Sequence, residues 1–150
     1  MYPALTLPLQ KTETGIAGLP AGTTVLTLAG ELPVEHLVAG DRIITRDAGI
    51  AVLRGVKVAV AEVAMVRIRA GSLGHTRPDR DTMVAPGTPV LIRDWRAQAL
   101  YAQPSAMVPA ARLCDGEFIA PLPAAPVRLF SLDFDRPHVV YADGLEIGTA

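Results

Sequence analysis

The fold is decided by two stretches that lie close together in the chain, LPAGTTVLT at residues 19–27 and PVEHLVAGDRIITRD at residues 33–47. The first predicts a strand that follows a Pro-Ala-Gly turn. The second predicts a short connection, a tight turn at Gly40 and Asp41, and then a second strand. Glycine supplies the backbone freedom and aspartate the side-chain hydrogen bonds that such turns need.

The composition extends this strand-and-turn pattern to the whole chain. Half of the 150 residues are apolar but only 5% are aromatic, so the core must be built mainly from Val, Leu, Ile and Ala. Thirteen glycines and thirteen prolines interrupt the apolar runs, which is typical of many short strands. We therefore predict an all-β domain at residues 15–150, preceded by an N-terminal tail at residues 1–14.

Further along the chain the pattern predicts individual elements. Residues 42–47 and 50–55 form an antiparallel hairpin, and residues 30–38 connect the first two strands. Residues 56–70 form the longest strand run, with one buried face, one exposed face and a bulge near residues 61–64. Residues 71–81 form an exposed loop whose charged residues Arg77, Asp79, Arg80 and Asp81 are solvated. Residues 98–102 form a strand, and residues 108–113 contain a helical turn.

Charge, cysteine content and apolar run length limit the binding partners and the cellular location that we expect. Fourteen basic and fifteen acidic residues give a net charge of −1, which predicts no nucleic-acid and no membrane-surface binding. The single cysteine, Cys114, has no partner for an internal disulfide, and no apolar run reaches the ~18 residues of a membrane helix. The first ten residues are a poor signal peptide, so we expect a cytoplasmic location.

Four blocks carry a resemblance to a known family. They are residues 18–47, RDTMVAPGTPVLI at residues 80–92, the pair WRAQALY and MVPAARL at residues 95–101 and 107–113, and FSLDFDRPHVVYADG at residues 130–144. In this order they resemble the bacterial Hedgehog/intein (Hint) domain family. The resemblance implies a horseshoe-like, almost entirely β fold of short antiparallel strands, without a cofactor.

The resemblance also implies a self-directed chemistry. In Hint domains a Cys or Ser at the first position attacks the preceding carbonyl, and Ser/Thr and His side chains orient and protonate the departing amide nitrogen. The positions that match these catalytic residues are occupied here by Gly18, Ala85, Thr88 and Ser131. Glycine offers no nucleophile and threonine no acid or base near neutral pH, so we predict that no catalytic residue remains.

Other residues of the chain are candidates to replace the missing groups. Thr23, Asp133 and His138 are possible cleft residues, whereas Cys114 is interpreted as a core residue. His36, His75 and His138 share no ligand spacing, so we expect no metal site.

These residues leave more than one function open. The first hypothesis is a catalytically inactive structural module, or one that binds a peptide or protein partner. The alternative is an autoprocessing domain that uses a substitute hydroxyl nucleophile near Gly18, and a third is one part of a secretion or adhesion system. A free edge strand within residues 50–70 predicts a monomer or at most a weak homodimer.

Overall fold

A computed structural model describes residues 15–74 and 77–149, so the predicted tail at residues 1–14 and His75 lie outside the described residues. Within them the chain forms thirteen short strands and one α-helix, α1, at Trp95–Tyr101, which confirms the all-β prediction. Short 3-10 turns lie at Val34–His36 and Ala110–Leu113. The strands are β1 Thr24–Thr27, β2 Gly30–Pro33, β3 Arg42–Thr45, β4 Gly49–Val52, β5 Gly55–Val63, β6 Val66–Ile68, β7 Thr82–Val84, β8 Pro89–Ile92, β9 Ala106–Pro109, β10 Ile119–Pro121, β11 Ala125–Asp133, β12 Val139–Ala142 and β13 Leu145–Gly148.

The strands form one large sheet and two small ones, all with antiparallel pairing. The eight-stranded sheet has the order β9-β8-β13-β12-β1-β3-β4, and β2 pairs with β1 beside it. Strands β10, β6 and β7 form a three-stranded sheet, and β5 pairs with β11 over nine residues as a two-stranded ribbon. The Gly40-Asp41 turn and the β3–β4 hairpin were both predicted, and the structure confirms them.

The β12–β13 hairpin occupies the centre of the large sheet. Asp143 and Gly144 join its strands with φ values of 50° and 82°, which is the left-handed backbone that a two-residue hairpin turn requires. Strand β12 pairs with β1 and β3, and β13 pairs with β8. The core against this sheet is aliphatic, as the composition predicted, and includes Val25, Ile43, Ile92, Val140 and Leu145.

The predicted long strand at residues 56–70 is wrong in two respects. The run breaks at Ala64 and Met65, and its two halves, β5 and β6, belong to different sheets. It also lacks the predicted buried face over most of β5, where Val58 and Val60 are both exposed. The reason is that, apart from Val63, the buried side chains of this ribbon come from β11, namely Leu129, Phe130 and Leu132.

Three other segments also differ from prediction. The expected strand at residues 98–102 is instead helix α1, because Asp94 caps it by accepting a hydrogen bond from the Arg96 amide and Ala102 ends it with a φ of 55°. The connection at residues 30–38 contains strand β2. The loop at residues 71–81 is partly buried, with Leu73 and Arg77 both inside.

Candidate functional site

A cavity of about 310 Å³ lies where residues 15–19, the loop between β7 and β8, strand β11 and strand β13 meet. Three of the four positions that match the family's catalytic residues line it, namely Gly18, Thr88 and Ser131, together with Asp133. These residues are distant in sequence, so the fold brings together positions that the sequence blocks had marked separately. The fourth position, Ala85, is buried beside the cavity and does not line it.

The Thr88 hydroxyl forms hydrogen bonds with both backbone polar groups of Gly18, its amide and its carbonyl. The Gly18 amide donates to Thr88 Oγ1 over 3.0 Å, and Thr88 Oγ1 lies 3.1 Å from the Gly18 carbonyl oxygen, to which it donates. The Ala85 amide donates to the same carbonyl over 3.1 Å. Thr88 therefore binds the amide of the Ala17–Gly18 peptide, at which the family's reaction takes place, and together with Ala85 it binds the carbonyl of the following peptide, in each case through neutral groups.

The residues on either side of Gly18 are fixed as well. The Gly87 amide donates to the Ile16 carbonyl over 2.6 Å. Leu19 exchanges two backbone hydrogen bonds with Phe130 of β11, over 2.9 and 2.8 Å. Residues 16–19 thus run as a pinned segment between the β7–β8 loop and β11.

Gly18 also has a local structural reason to be glycine. Its φ of +144° is a backbone conformation that side chains other than glycine rarely adopt. A Cβ atom built at this position would stand 3.0 Å from Leu129 Cβ and 3.5 Å from the Phe130 carbonyl oxygen. The present backbone therefore disfavours a cysteine or serine at the first catalytic position.

The remaining cavity lining combines apolar walls with a few polar groups. Val140, Ile147 and Pro89 supply apolar surface. Lys57 lies directly across the β5–β11 ladder from Ser131, so both side chains emerge at the same part of the wall. Among the described residues that line the cavity there is no histidine and no cysteine.

Two of the predicted cleft residues, Thr23 and His138, do not line the cavity. Thr23 is buried in the turn before β1, where its carbonyl accepts a hydrogen bond from the Val34 amide over 2.8 Å. His138 is buried behind the wall, and its carbonyl accepts from the amide of Thr149, which does line the cavity.

The His138 ring forms a hydrogen bond with a carboxylate, that of Asp47. Its Nδ1 lies 2.9 Å from Asp47 Oδ2, and the Val139 amide donates to Asp47 Oδ1 over 2.9 Å. Although burial alone would raise it, these hydrogen bonds lower the pKa of Asp47. This arrangement ties β12 to the end of β3, which is a structural role for His138.

The structure contains two buried carboxylates that sequence reasoning missed, and the first is Asp143. It accepts hydrogen bonds from the Thr24 amide and hydroxyl, from the Thr82 hydroxyl over 2.7 Å and from Arg80 Nη2 over 2.7 Å. Burial opposes ionisation, but these donors together lower the pKa of Asp143. Arg80 was predicted to be solvated, and its side chain is exposed as predicted while it also pairs with this carboxylate from the surface.

The second buried carboxylate is Glu146 of β13. It accepts from Arg77 Nη1 over 2.6 Å, from Arg93 Nε over 3.0 Å and from Arg46 Nη1 over 2.9 Å. We call these four residues the Glu146 cluster. Arg77 was predicted to be solvated, and that is wrong because it lies inside the protein, where burial lowers its pKa despite the nearby Glu146 charge. The sequence signal, a charged residue inside a strand of otherwise apolar residues, was present at Glu146.

Within residues 15–74 and 77–149 no group of three or more His, Cys, Asp or Glu side chains is placed to hold a metal ion. In the same part of the chain no helix has the length and apolar character needed to cross a membrane.

Comparisons with known proteins agree with the fold. A family model described as the Hint domain matches residues 17–150. Among solved structures, a bacterial intein-like domain from Clostridium thermocellum superposes with a TM-score of 0.63 at 17% identity, covering 89% of this chain and 98% of that one. A DnaB intein from Synechocystis sp. PCC 6803 gives 0.62 at 10% identity, covering 90% and 99%. No curated protein sequence gives a significant match.

Proposed function

This chain belongs to the Hint domain family, and from that premise we propose that it is a catalytically inactive member which serves as a structural or peptide-binding module. The observation that carries the proposal is the identity of residue 18 and the hydrogen bonds of its backbone. A glycine stands where the family places its nucleophile, and the Thr88 hydroxyl holds its amide and carbonyl at 3.0 and 3.1 Å.

The chemistry of amide cleavage supports inactivity. An amide nitrogen leaves only when it is protonated, which requires an acid whose pKa lies near the working pH. Thr88 occupies the position of the family's histidine, and a threonine hydroxyl cannot deliver a proton in that range. Gly18 has no side chain to attack the Ala17 carbonyl, so both halves of the reaction lack a group at their usual positions.

The cavity supports a binding role in place of the reaction. Its volume is about 310 Å³, at the lower end of the ~300–1,000 Å³ that is usual for ligand sites, and suits one or two side chains of a peptide. Apolar walls at Val140 and Ile147 would take an aliphatic side chain. Lys57, Ser131 and Asp133 would bond the peptide's polar groups at the rim.

Intact-mass analysis of protein with a short N-terminal tag tests inactivity directly. The protein is incubated alone, with a thiol, which cleaves thioesters, and with hydroxylamine, which cleaves both thioesters and esters. We expect one unchanged full-length mass in every sample. Loss of the segment before Gly18 contradicts the proposal.

The alternative is autoprocessing through a substitute hydroxyl, and the positions of two hydroxyls favour it: Thr88 Oγ1 lies 3.0 Å from the amide nitrogen of the Ala17–Gly18 peptide, and Ser131 lines the same cavity. If the tagged protein is cleaved, Thr88→Val and Ser131→Ala distinguish these two hydroxyls. Thr23 is a poor third choice because it lies outside the cavity.

The binding half of the proposal is tested by titrating a capped aliphatic tripeptide, acetyl-Val-Leu-Ala-amide, into labelled protein. We expect amide chemical-shift changes at Gly18, Gly87 and Gly148, which line the cavity, and their loss in Ser131→Trp, which fills it. Ala125→Trp is the matched control, since Ala125 is an exposed residue of the same strand away from the cavity. Equal binding by both variants places the peptide elsewhere and contradicts the proposal.

A further inference from the structure

The Glu146 cluster contains more positive than negative charge. Three arginines, at positions 46, 77 and 93, donate to one carboxylate, which leaves an excess of two positive charges. A further acidic group, Asp94, acts on Arg77 through its charge but is itself paired with Arg96. The whole chain has a net charge of −1, so the excess is a local feature.

Two of the three arginines face solvent while their partner does not. The Glu146 side chain is 3% exposed, whereas those of Arg93 and Arg46 are 33% and 40% exposed. Glu146 uses one oxygen for Arg46 and the other for Arg93, so it holds the two guanidinium groups beside each other. Arg77 lies beneath them at 9% exposure, and repulsion from Arg93 and Arg46 acts on it.

The donors that remain point to the kind of ligand. Arg93 bonds Glu146 through Nε alone, and Arg46 through Nη1 alone. Within the described residues no protein acceptor binds Arg93 Nη1 and Nη2 or Arg46 Nη2 and Nε. These donors belong to two adjacent guanidinium forks, which suits an oxyanion that accepts from both at once.

We propose that Arg46 and Arg93, oriented by the buried Glu146, form a binding site for a phosphate-type dianion. The excess of two charges matches the charge of a phosphate monoester, which carries close to −2 above neutral pH. A bound dianion would also relieve the repulsion among the three arginines. The site is distinct from the cavity at Gly18, since none of the cluster residues lines that cavity.

Calorimetric titration tests the site with inorganic phosphate, at a pH slightly above neutral and at constant ionic strength set with chloride. We expect phosphate to bind the wild type, and Arg46→Gln or Arg93→Gln to weaken binding by about tenfold or more. Arg112→Gln is the matched control, because Arg112 is an exposed arginine outside the cluster, and it should bind as the wild type does. Arg46→Lys keeps the charge but loses the fork, and should bind more weakly than the wild type.

A second arm replaces inorganic phosphate with a short phosphoserine peptide and its unphosphorylated form, which separates free phosphate from a protein-borne one. Binding of either phosphate source that needs both Arg46 and Arg93 supports the site. Binding that is absent from the wild type, or that is the same in Arg46→Gln, Arg93→Gln and Arg112→Gln, overturns it. Circular dichroism of each variant confirms that the comparison is made on folded protein.

Discussion

The cavity at Gly18 and the β12–β13 hairpin differ in the kind of polar group that each of them buries. At Gly18 the polar groups are neutral, consisting of backbone amides and carbonyls and the Thr88 hydroxyl. In the hairpin they are charged carboxylates, Asp143 and Glu146, each held by several donors. The first region has Gly18 and Thr88 at the positions that match the family's catalytic residues, whereas the charged groups of the second bind neighbouring strands to one another.

This difference predicts in which of the two regions the free energy of unfolding depends more strongly on single side chains. Removing one partner of a buried charge leaves the other without compensation, whereas removing a neutral hydroxyl loses only its hydrogen bonds. Substitutions in the hairpin should therefore reduce the free energy of unfolding more than those at the cavity. Four substitutions order the two regions on this scale.

The largest effect is expected for Glu146→Ala. It leaves three arginines without their shared carboxylate, one of them buried, and should lower the free energy of unfolding by about 3–5 kcal/mol. Urea unfolding measures the change. Glu117→Ala, at an exposed position, is the control and should be close to neutral. A loss at Glu146 no larger than the control's contradicts the claim that this carboxylate anchors the hairpin.

Asp143→Asn should have the next largest effect, a loss of about 1.5–3 kcal/mol, because hydrogen bonds to a charged group are replaced by weaker neutral ones. The folded-state pKa of Asp143 is lowered from 3.8, so the unfolded chain takes up the proton first as the pH falls. Its contribution is therefore complete at neutral pH and is lost as the pH falls below about 3.8 through the folded-state pKa.

Unfolding measured across the acid range checks this sign. The wild type should lose stability more steeply below pH 3.8 than Asp143→Asn does, so that the two curves converge. A gap between them that stays constant down to the lowest pH means that the charge of Asp143 is not what stabilises the hairpin.

Gly18→Cys puts the family's nucleophile back and tests whether the cavity accepts it. The positive φ and the contact with Leu129 should lower the free energy of unfolding by about 1–3 kcal/mol. No cleavage should appear by intact mass, since Thr88 provides no acid. Gly55→Ala serves as control, because a Cβ at Gly55 meets nothing within 4 Å. Cleavage by Gly18→Cys alone would show that the remaining groups suffice for the reaction.

Thr88→Val should give the smallest effect, about 1–2 kcal/mol, from the loss of the hydroxyl that bridges the Gly18 amide and carbonyl. Faster hydrogen exchange at the Gly18 amide, with unchanged exchange in β12, would locate the loss. Thr24→Val removes a partly buried threonine hydroxyl of the hairpin network and is the companion measurement. Unchanged exchange at Gly18 contradicts the bridging role.

The sequence predicted the fold class and the elements marked by turn residues. The Gly40-Asp41 turn and the β3–β4 hairpin follow from local chemistry, and the four ordered blocks indicated the family. Local pattern failed at β5, because a strand's exposure depends on which layer covers it, and that is decided elsewhere in the chain. It failed at α1 because a strand was predicted at residues 98–102 from the apolar pattern alone, without the helix-capping side chain of Asp94 upstream.

For the site, sequence blocks marked Gly18, Thr88 and Ser131, and the structure brings those three to one cavity. The blocks gave no indication that Gly18 has a positive φ, or that Thr88 bonds both of its backbone groups, since these depend on contacts across 70 residues. The Glu146 cluster was also missed. Its arginines come from three separate segments, and only the folded sheet shows that they converge.

The central place of the β12–β13 hairpin sets an order of events during synthesis on the ribosome. Local hairpins such as β1–β2 and β3–β4 need only neighbouring residues and can pair as soon as they emerge. The eight-stranded sheet, however, has residues 139–148 between β8 and β1, so its two halves cannot join until that segment leaves the exit tunnel. Until residues 139–148 emerge, the nascent chain therefore holds separate hairpins with open edges, a state that chaperones are suited to protect.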